Sequence, residues 1–114
     1  MVIYSRVQFV PRIMADERVN VGVIAVDNAT GKAAVWWIRK YDRIKAFAGL
    51  LDESYLEDLR QYFEGVVARG EMSVPYLYQL HHQWQHSVQL SPPLPSLMSL
   101  DEMRGVVYGV WLVE

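Results

Sequence analysis

Cysteine is absent from this chain. With it go disulfides, thiolate nucleophiles and every Cys-based zinc or iron–sulfur site. No apolar run approaches the roughly 20 residues that cross a bilayer. The first six residues lack the basic segment, apolar segment and small-residue cleavage site of a secretory leader. A cytoplasmic location without membrane association is therefore expected. There is no Gly-x-Ser-x-Gly elbow and no Gly-rich loop opening a helix, which argues against a serine nucleophile and a dinucleotide or phosphate cradle. The carboxylate pairs Asp52/Glu53 and Asp101/Glu102 fall at expected helix starts, where the helix dipole accounts for them. Ser87 beside His86 would face the opposite way on a strand. No catalytic residue is assigned, and no cofactor is expected.

What is present is core-forming material. Of 114 residues, 52% are hydrophobic, with four Trp and seven Tyr, enough for one domain spanning residues 1–114. The net charge of −2 conceals an asymmetry. Residues 1–50 carry eight Lys and Arg against four acids; the remainder carries three against nine. A basic half can mark a nucleic-acid face. Acids on helix faces and helix starts give the same imbalance without one.

Alternation predicts a first strand over residues 3–10, ended by Pro11. A second strand over residues 18–27 is apolar on both faces, as a central strand covered on two sides would be. Residues 27–32 form a turn with Gly31 free to take positive φ. A third strand follows over residues 33–39, with Trp36 and Trp37 on opposite faces. Asp42 can cap a short helix over residues 43–50. A long amphipathic helix runs from Asp52 or Ser54 to about Arg69, stopped by Gly70. Ser73 and Pro75 open another, through about His86. Residues 87–90 read as a fourth strand, and residues 91–95 must be extended before their prolines. Ser99 and Glu102 have capping-box spacing, announcing a last helix from Leu100, although residues 106–113 also suit a strand by propensity. The expected fold is α+β: an antiparallel sheet of three to four strands with helices packed mainly on one face.

Three segments together resemble a family of small bacterial proteins, domain of unknown function 3037. They are residues 4–11 (YSRVQFVP), residues 17–26 (ERVNVGVIAV) and residues 87–93 (SVQLSPP). Where the family often has Asn before the late Ser, this chain has His86. The resemblance implies no agreed activity. It implies a genomic neighbour similar to the kinase-like toxins of toxin–antitoxin systems, and hence a protein partner in a bacterial or phage system.

Three constellations remain. Gln8, Glu17, Asn20 and Gln89 could line a polar pocket at the mouth of the first two strands, serving a small ligand or enzyme site. The competing reading is that Asn20 ties a neighbouring segment to the sheet, with Gly22 admitting a close approach. His82 and His86 sit four apart, as two metal ligands on one helix face would, but lack a third ligand, so no metal is expected. Trp36, Trp37, Arg39, Lys40, Tyr41 and Arg43 combine aromatic and basic character. That combination suits a core followed by a solvated loop, a protein-binding hot spot or a single-stranded nucleic-acid groove. The leading expectation is a non-enzymatic protein-interaction module using this stretch or the sheet edge. Nucleic-acid binding by the basic half and a pocket around Glu17 and Asn20 are the alternatives. Self-association is compatible with the first.

Overall fold

The computed structural model describes residues 1–10, 18–42, 44–45, 53–84 and 87–112. Glu17, Arg43, His86, the connection over residues 11–17 and most of the short helix expected over residues 43–50 lie outside the described residues. The two longest alternating ladders pair first: β1 (Val2–Phe9) runs antiparallel to β2 (Val19–Asp27). Asp27, Gly31 and Lys32 close the next turn. Gly31 takes φ 78°, and the Ala29 amide donates to the Asp27 carboxylate over 2.9 Å. That turn delivers β3 (Ala33–Trp37) antiparallel to β2.

Two helices follow, α1 (Glu53–Ala68) and α2 (Val74–Gln83). In α1, Leu56, Leu59, Phe63 and Val66 are buried at helical spacing, and Gly70 beyond its end takes φ 70°. Ser73 caps α2 through the Tyr76 amide at 3.2 Å. The late extended segment supplies β4 (Val88–Leu90) and β5 (Leu94–Ser96), and the chain then enters α3 (Leu100–Val110). The Ser99–Glu102 capping box is formed in both directions, at 3.1 and 3.3 Å. It holds residues 106–110 helical against their strand propensity.

The sheet has five strands rather than three or four, in the order β3-β2-β1-β4, with β5 also on β1. The additional strand comes from the Ser-Pro-Pro segment. β4 pairs with Val7–Phe9 of β1 and β5 with Val2–Tyr4. Residues 91–93 therefore stand opposite only Ser5 and Arg6, a bulge of one residue. Pro92 and Pro93 have no N–H to offer the ladder. Ser91 compensates: its N–H donates to the Arg6 carbonyl (2.9 Å), and its Oγ accepts the Arg6 N–H (2.8 Å).

The expected central strand is observed. Val21 to Val26 are buried without interruption, because β2 is covered on both faces. On one face the row Val7, Gly22, Trp37 meets Phe63 of α1, and α2 packs beside it on β1 and β4. On the other, α3 crosses β2 and β3, and Tyr4 lies 5.0 Å from the Trp111 ring just beyond α3. Gly22 is explained here. A Cβ on it would fall 2.7 Å from Cζ3 of Trp37, so its absence makes room for the indole directly opposite.

Candidate functional site

Among the described residues the sheet ends at β3 on one side and at the short strands β4 and β5 on the other. Beyond β1, β4 and β5 take up the pairing; beyond β3, no strand follows among the described residues. The hydrogen-bond phase of β3 can be read from its ends. The Asp27 N–H donates to the Lys32 carbonyl (2.7 Å), and the Ile38 N–H donates to the Val21 carbonyl (2.9 Å). In an antiparallel pair bonded residues alternate, so Ala34 and Trp36 turn their amides and carbonyls toward β2. Ala33, Val35 and Trp37 turn theirs outward. The Trp37 carbonyl accepts the Tyr108 hydroxyl at 2.8 Å, which confirms the phase and marks one end of the free stretch.

A cleft of about 380 Å³ runs along this edge. Its floor is Val35 to Arg39, one wall is Glu57, Arg60 and Glu64 of α1, and the other is Tyr108 of α3. The α1 wall is tied to the core by a relay of hydrogen bonds. Trp37 Nε1 donates to the Tyr41 hydroxyl (3.1 Å), which donates to Glu57 Oε1 (2.6 Å). Glu57 Oε2 accepts from Arg60 Nε at 3.0 Å and Nη2 at 2.5 Å. Burial, reinforced by the Glu57 carboxylate, pushes the Tyr41 phenol up to about 12. The Tyr41 hydrogen bond, aided by Arg60, holds the Glu57 carboxyl below its ordinary value. On the other wall, the Arg39 guanidinium lies 4.2 Å over the Tyr108 ring.

The expected partner-binding stretch is thereby divided. Trp36, Trp37 and Tyr41 are only 9%, 5% and 9% exposed. Their rings serve the core, one tryptophan on each face of the sheet, and Trp36 and Trp37 meet the edge cleft only at its floor. Arg39 and Lys40 remain at the surface, Arg39 lining the edge cleft and Lys40 next to it in the chain. Arg43 lies outside the described residues.

The expected polar pocket is assembled in part. Gln8 stands opposite both Asn20 and Gln89. Gln8 Nε2 donates to Asn20 Oδ1 (3.1 Å), while Asn20 Nδ2 donates to the Trp111 carbonyl (3.1 Å). Both ends of the Asn20 amide are thus spent fastening β2 to β1 and to the end of α3. A tie is what the half-buried amide leads one to expect, and among the described residues it runs to the end of α3. Gln8 and Gln89 instead line a second cleft, of about 460 Å³, with Arg6, Arg18, His81 and Ser91. Arg18 Nη1 donates to Gln89 Oε1 at 2.6 Å.

Of the histidine pair, His82 lies on α2 and His86 lies outside the described residues. α2 stops at Gln83, and its cap Trp84 is extended (φ −95°, ψ 93°), three residues short of the i+4 partner expected for His82. Among the described residues no three His, Cys, Asp or Glu converge on one point. His81 instead bonds the Leu90 carbonyl through Nδ1 (2.7 Å). Since a carbonyl only accepts, Nδ1 carries the proton.

Sequence reasoning passed over Tyr108, Glu57, Arg60 and Glu64. The three α1 residues read as an ordinary wet helix face, and nothing local indicates that it borders a strand edge. Among the described residues the basic side chains of the first half are spread out: Lys32 sits in the β2–β3 turn, Arg6 and Arg18 line the cleft beside β4, and Arg39 and Lys40 follow β3. Among the described residues no helix is long and apolar enough to cross a membrane.

No curated protein and no solved structure matches the chain. A family model described as protein of unknown function (DUF3037) matches residues 4–104. The chain belongs to that family.

Proposed function

We propose that this protein is a non-enzymatic interaction module that takes an extended segment of a partner protein as an added strand on β3. The observation carrying the reading is the outward main chain of β3 at Ala33 and Val35, with Val35 on the floor of a cleft walled by α1 and α3 and the Trp37 carbonyl already held by Tyr108. Strand addition draws affinity from such main-chain groups and specificity from side chains alternating between the two walls. One set would meet Glu57, Arg60 and Glu64, where two carboxylates outnumber one guanidinium. The other would meet Tyr108 and the Arg39–Lys40 end. The fitting occupant is an extended stretch with a basic residue toward α1 and an acidic residue near Lys40. The kinase-like neighbour implied by the family resemblance is the first partner to try.

Val35→Pro tests the reading. The Val35 N–H is not used by β2, so proline removes a donor the fold does not need, and edge strands tolerate it. Co-expressed with the product of the neighbouring gene, the wild-type protein is expected to co-purify with it. The variant, with unchanged circular dichroism, is expected not to. A partner that stays bound to the proline variant rules out strand addition. A chain that captures no neighbour in either form rules out the interaction module.

A further inference from the structure

We infer that the cleft beside β4 binds the phosphoryl group of a small phosphate monoester. The cleft lies apart from the open edge, across the width of the sheet. Its described lining is Arg6, Gln8, Arg18, His81, Gln89, Leu90, Ser91 and Pro92, with two guanidiniums, one imidazole and no carboxylate. The residues come from separate elements. Arg6 and Gln8 share a face of β1, two positions apart, and Gln89 stands directly opposite Gln8 on β4. Arg18 reaches in from the start of β2, fixed by its bond to Gln89, and His81 enters from α2, fixed on the Leu90 carbonyl.

Arg6 is the key group. Its backbone is locked by the two Ser91 bonds, whereas its guanidinium makes no hydrogen bond or ion pair with any described residue. A guanidinium held by its main chain at the floor of a cleft offers a planar fork of donors to an oxyanion. The two guanidiniums, approaching from β1 and from the start of β2, offer forked donors that serve the three oxygens of a tetrahedral phosphoryl group better than the two of a planar carboxylate. The described lining offers no Trp, Tyr or Phe on which a base could stack. The phosphoryl group itself is therefore the recognised feature.

The test is a titration of the full chain followed by amide chemical shifts, with glycerol phosphate, inorganic phosphate and succinate as probes. Glycerol phosphate is expected to shift the Arg6, Gln8 and Gln89 amides with a Kd of about 1 mM. Inorganic phosphate should do the same, and succinate should bind about tenfold more weakly. Arg6→Gln keeps the main-chain bonds to Ser91 and should weaken phosphate binding about tenfold or more. Arg18→Gln should act in the same direction, and Lys32→Gln, in the distant turn, should change nothing. Equal binding of succinate, unaltered binding by both arginine variants, or no shift at about 20 mM phosphate overturns the assignment. So does a single-stranded oligonucleotide that binds far more tightly than the monoester with steep salt dependence, which would make the cleft a nucleic-acid contact.

Discussion

Gly22→Ala adds one methyl group at the centre of the sheet, and the surroundings of that methyl determine the outcome. The new Cβ would lie 2.7 Å from Cζ3 of Trp37, closer still to its Cε3, and 3.2 Å from the Trp36 carbonyl oxygen. The indole has little freedom to withdraw. Phe63 packs against it at 6.2 Å between centroids, and its Nε1 is held by Tyr41, itself bound to Glu57. Overpacking a well-filled core costs about 1–3 kcal/mol. Displacing the indole from Tyr41 adds about 1 kcal/mol for the lost hydrogen bond. The restricted unfolded chain returns about 0.4–1 kcal/mol. The net destabilisation is about 2–3 kcal/mol, a fall in Tm of roughly 8–12 °C for a domain of this size. Urea denaturation followed by tryptophan fluorescence measures it directly. Trp37→Leu provides the control: with the ring gone, Gly22→Ala should cost little more, leaving a coupling energy above about 1 kcal/mol in the double-mutant cycle. A Gly22→Ala protein within about 0.5 kcal/mol of wild type, or a cycle without coupling, would refute the account of why glycine stands there.

Three further outcomes are expected. Asn20→Val removes both amide bonds and strands the Gln8 side chain, so it should cost about 2 kcal/mol and speed hydrogen exchange at the end of α3, while leaving partner capture intact. Loss of capture at unchanged stability would show instead that Asn20 belongs to a binding site. Ser5→Ala should be neutral or stabilising by up to about 1 kcal/mol in thermal melts, because the Ser5 hydroxyl is fully buried with no hydrogen-bond partner. The Tyr41 phenol, raised from 10.0 to about 12 in the folded protein, contributes stability that is whole below pH 10 and lost as pH rises through about 12. Glu57 has the opposite sign: its depressed carboxyl adds stability above its unfolded value of 4.5, lost as pH falls through the folded one. Tyr41→Phe should shrink the alkaline loss and raise the Glu57 pKa toward 4.5, both followed by NMR titration.

Much of this fold is legible in local pattern. β1 declares itself by alternation, β2 and β3 by their runs of β-branched and aromatic residues, and the turn after Asp27 by its Asp-Asn and Gly31. The capping box decides the last helix where propensity alone pulls Val106 and Val107 the other way. Local pattern misleads where tertiary pairing decides. β5 exists because Val2–Tyr4 of β1 offers an edge, and Leu-Pro-Ser has little strand character of its own. Trp36 and Trp37 sit beside Arg39 and Lys40 in the sequence, which leaves an aromatic–basic surface open as a reading until the packing shows both rings buried. The site is harder still. The edge cleft joins Val35, Glu57 and Tyr108, which lie far apart in the chain and carry no chemical signature separately. In the second cleft, Gln8 and Gln89 could be paired from the sequence as polar residues on two strands. Arg6 and His81 could not, since their convergence depends on the bulge at Ser91 and on where α2 ends.

The contrast between the two edges is the strongest reason to assign function to β3. Folded sheets block stray pairing with short strands, prolines, bulges and charges. The β1 side uses the first three at once: two three-residue strands, Pro92 and Pro93, and the extra residue between them. The β3 side has none of these within its own span. Ala33–Trp37 holds no proline and no charge, and its register with β2 is unbroken. Charge appears only at its ends, with Lys32 before it and Arg39 and Lys40 after it. Flanking charges of this kind discourage pairing that runs past the window while leaving the window usable. A second copy meeting the edge antiparallel would bring Lys32 of one chain toward Arg39 and Lys40 of the other, like charge against like at both ends. A foreign segment with an acid near Lys40 carries no such penalty. The edge therefore favours a different protein over self-pairing, and reversing Lys40 with Lys40→Glu should weaken partner capture and relieve the bar on self-association, which sedimentation of the variant can test.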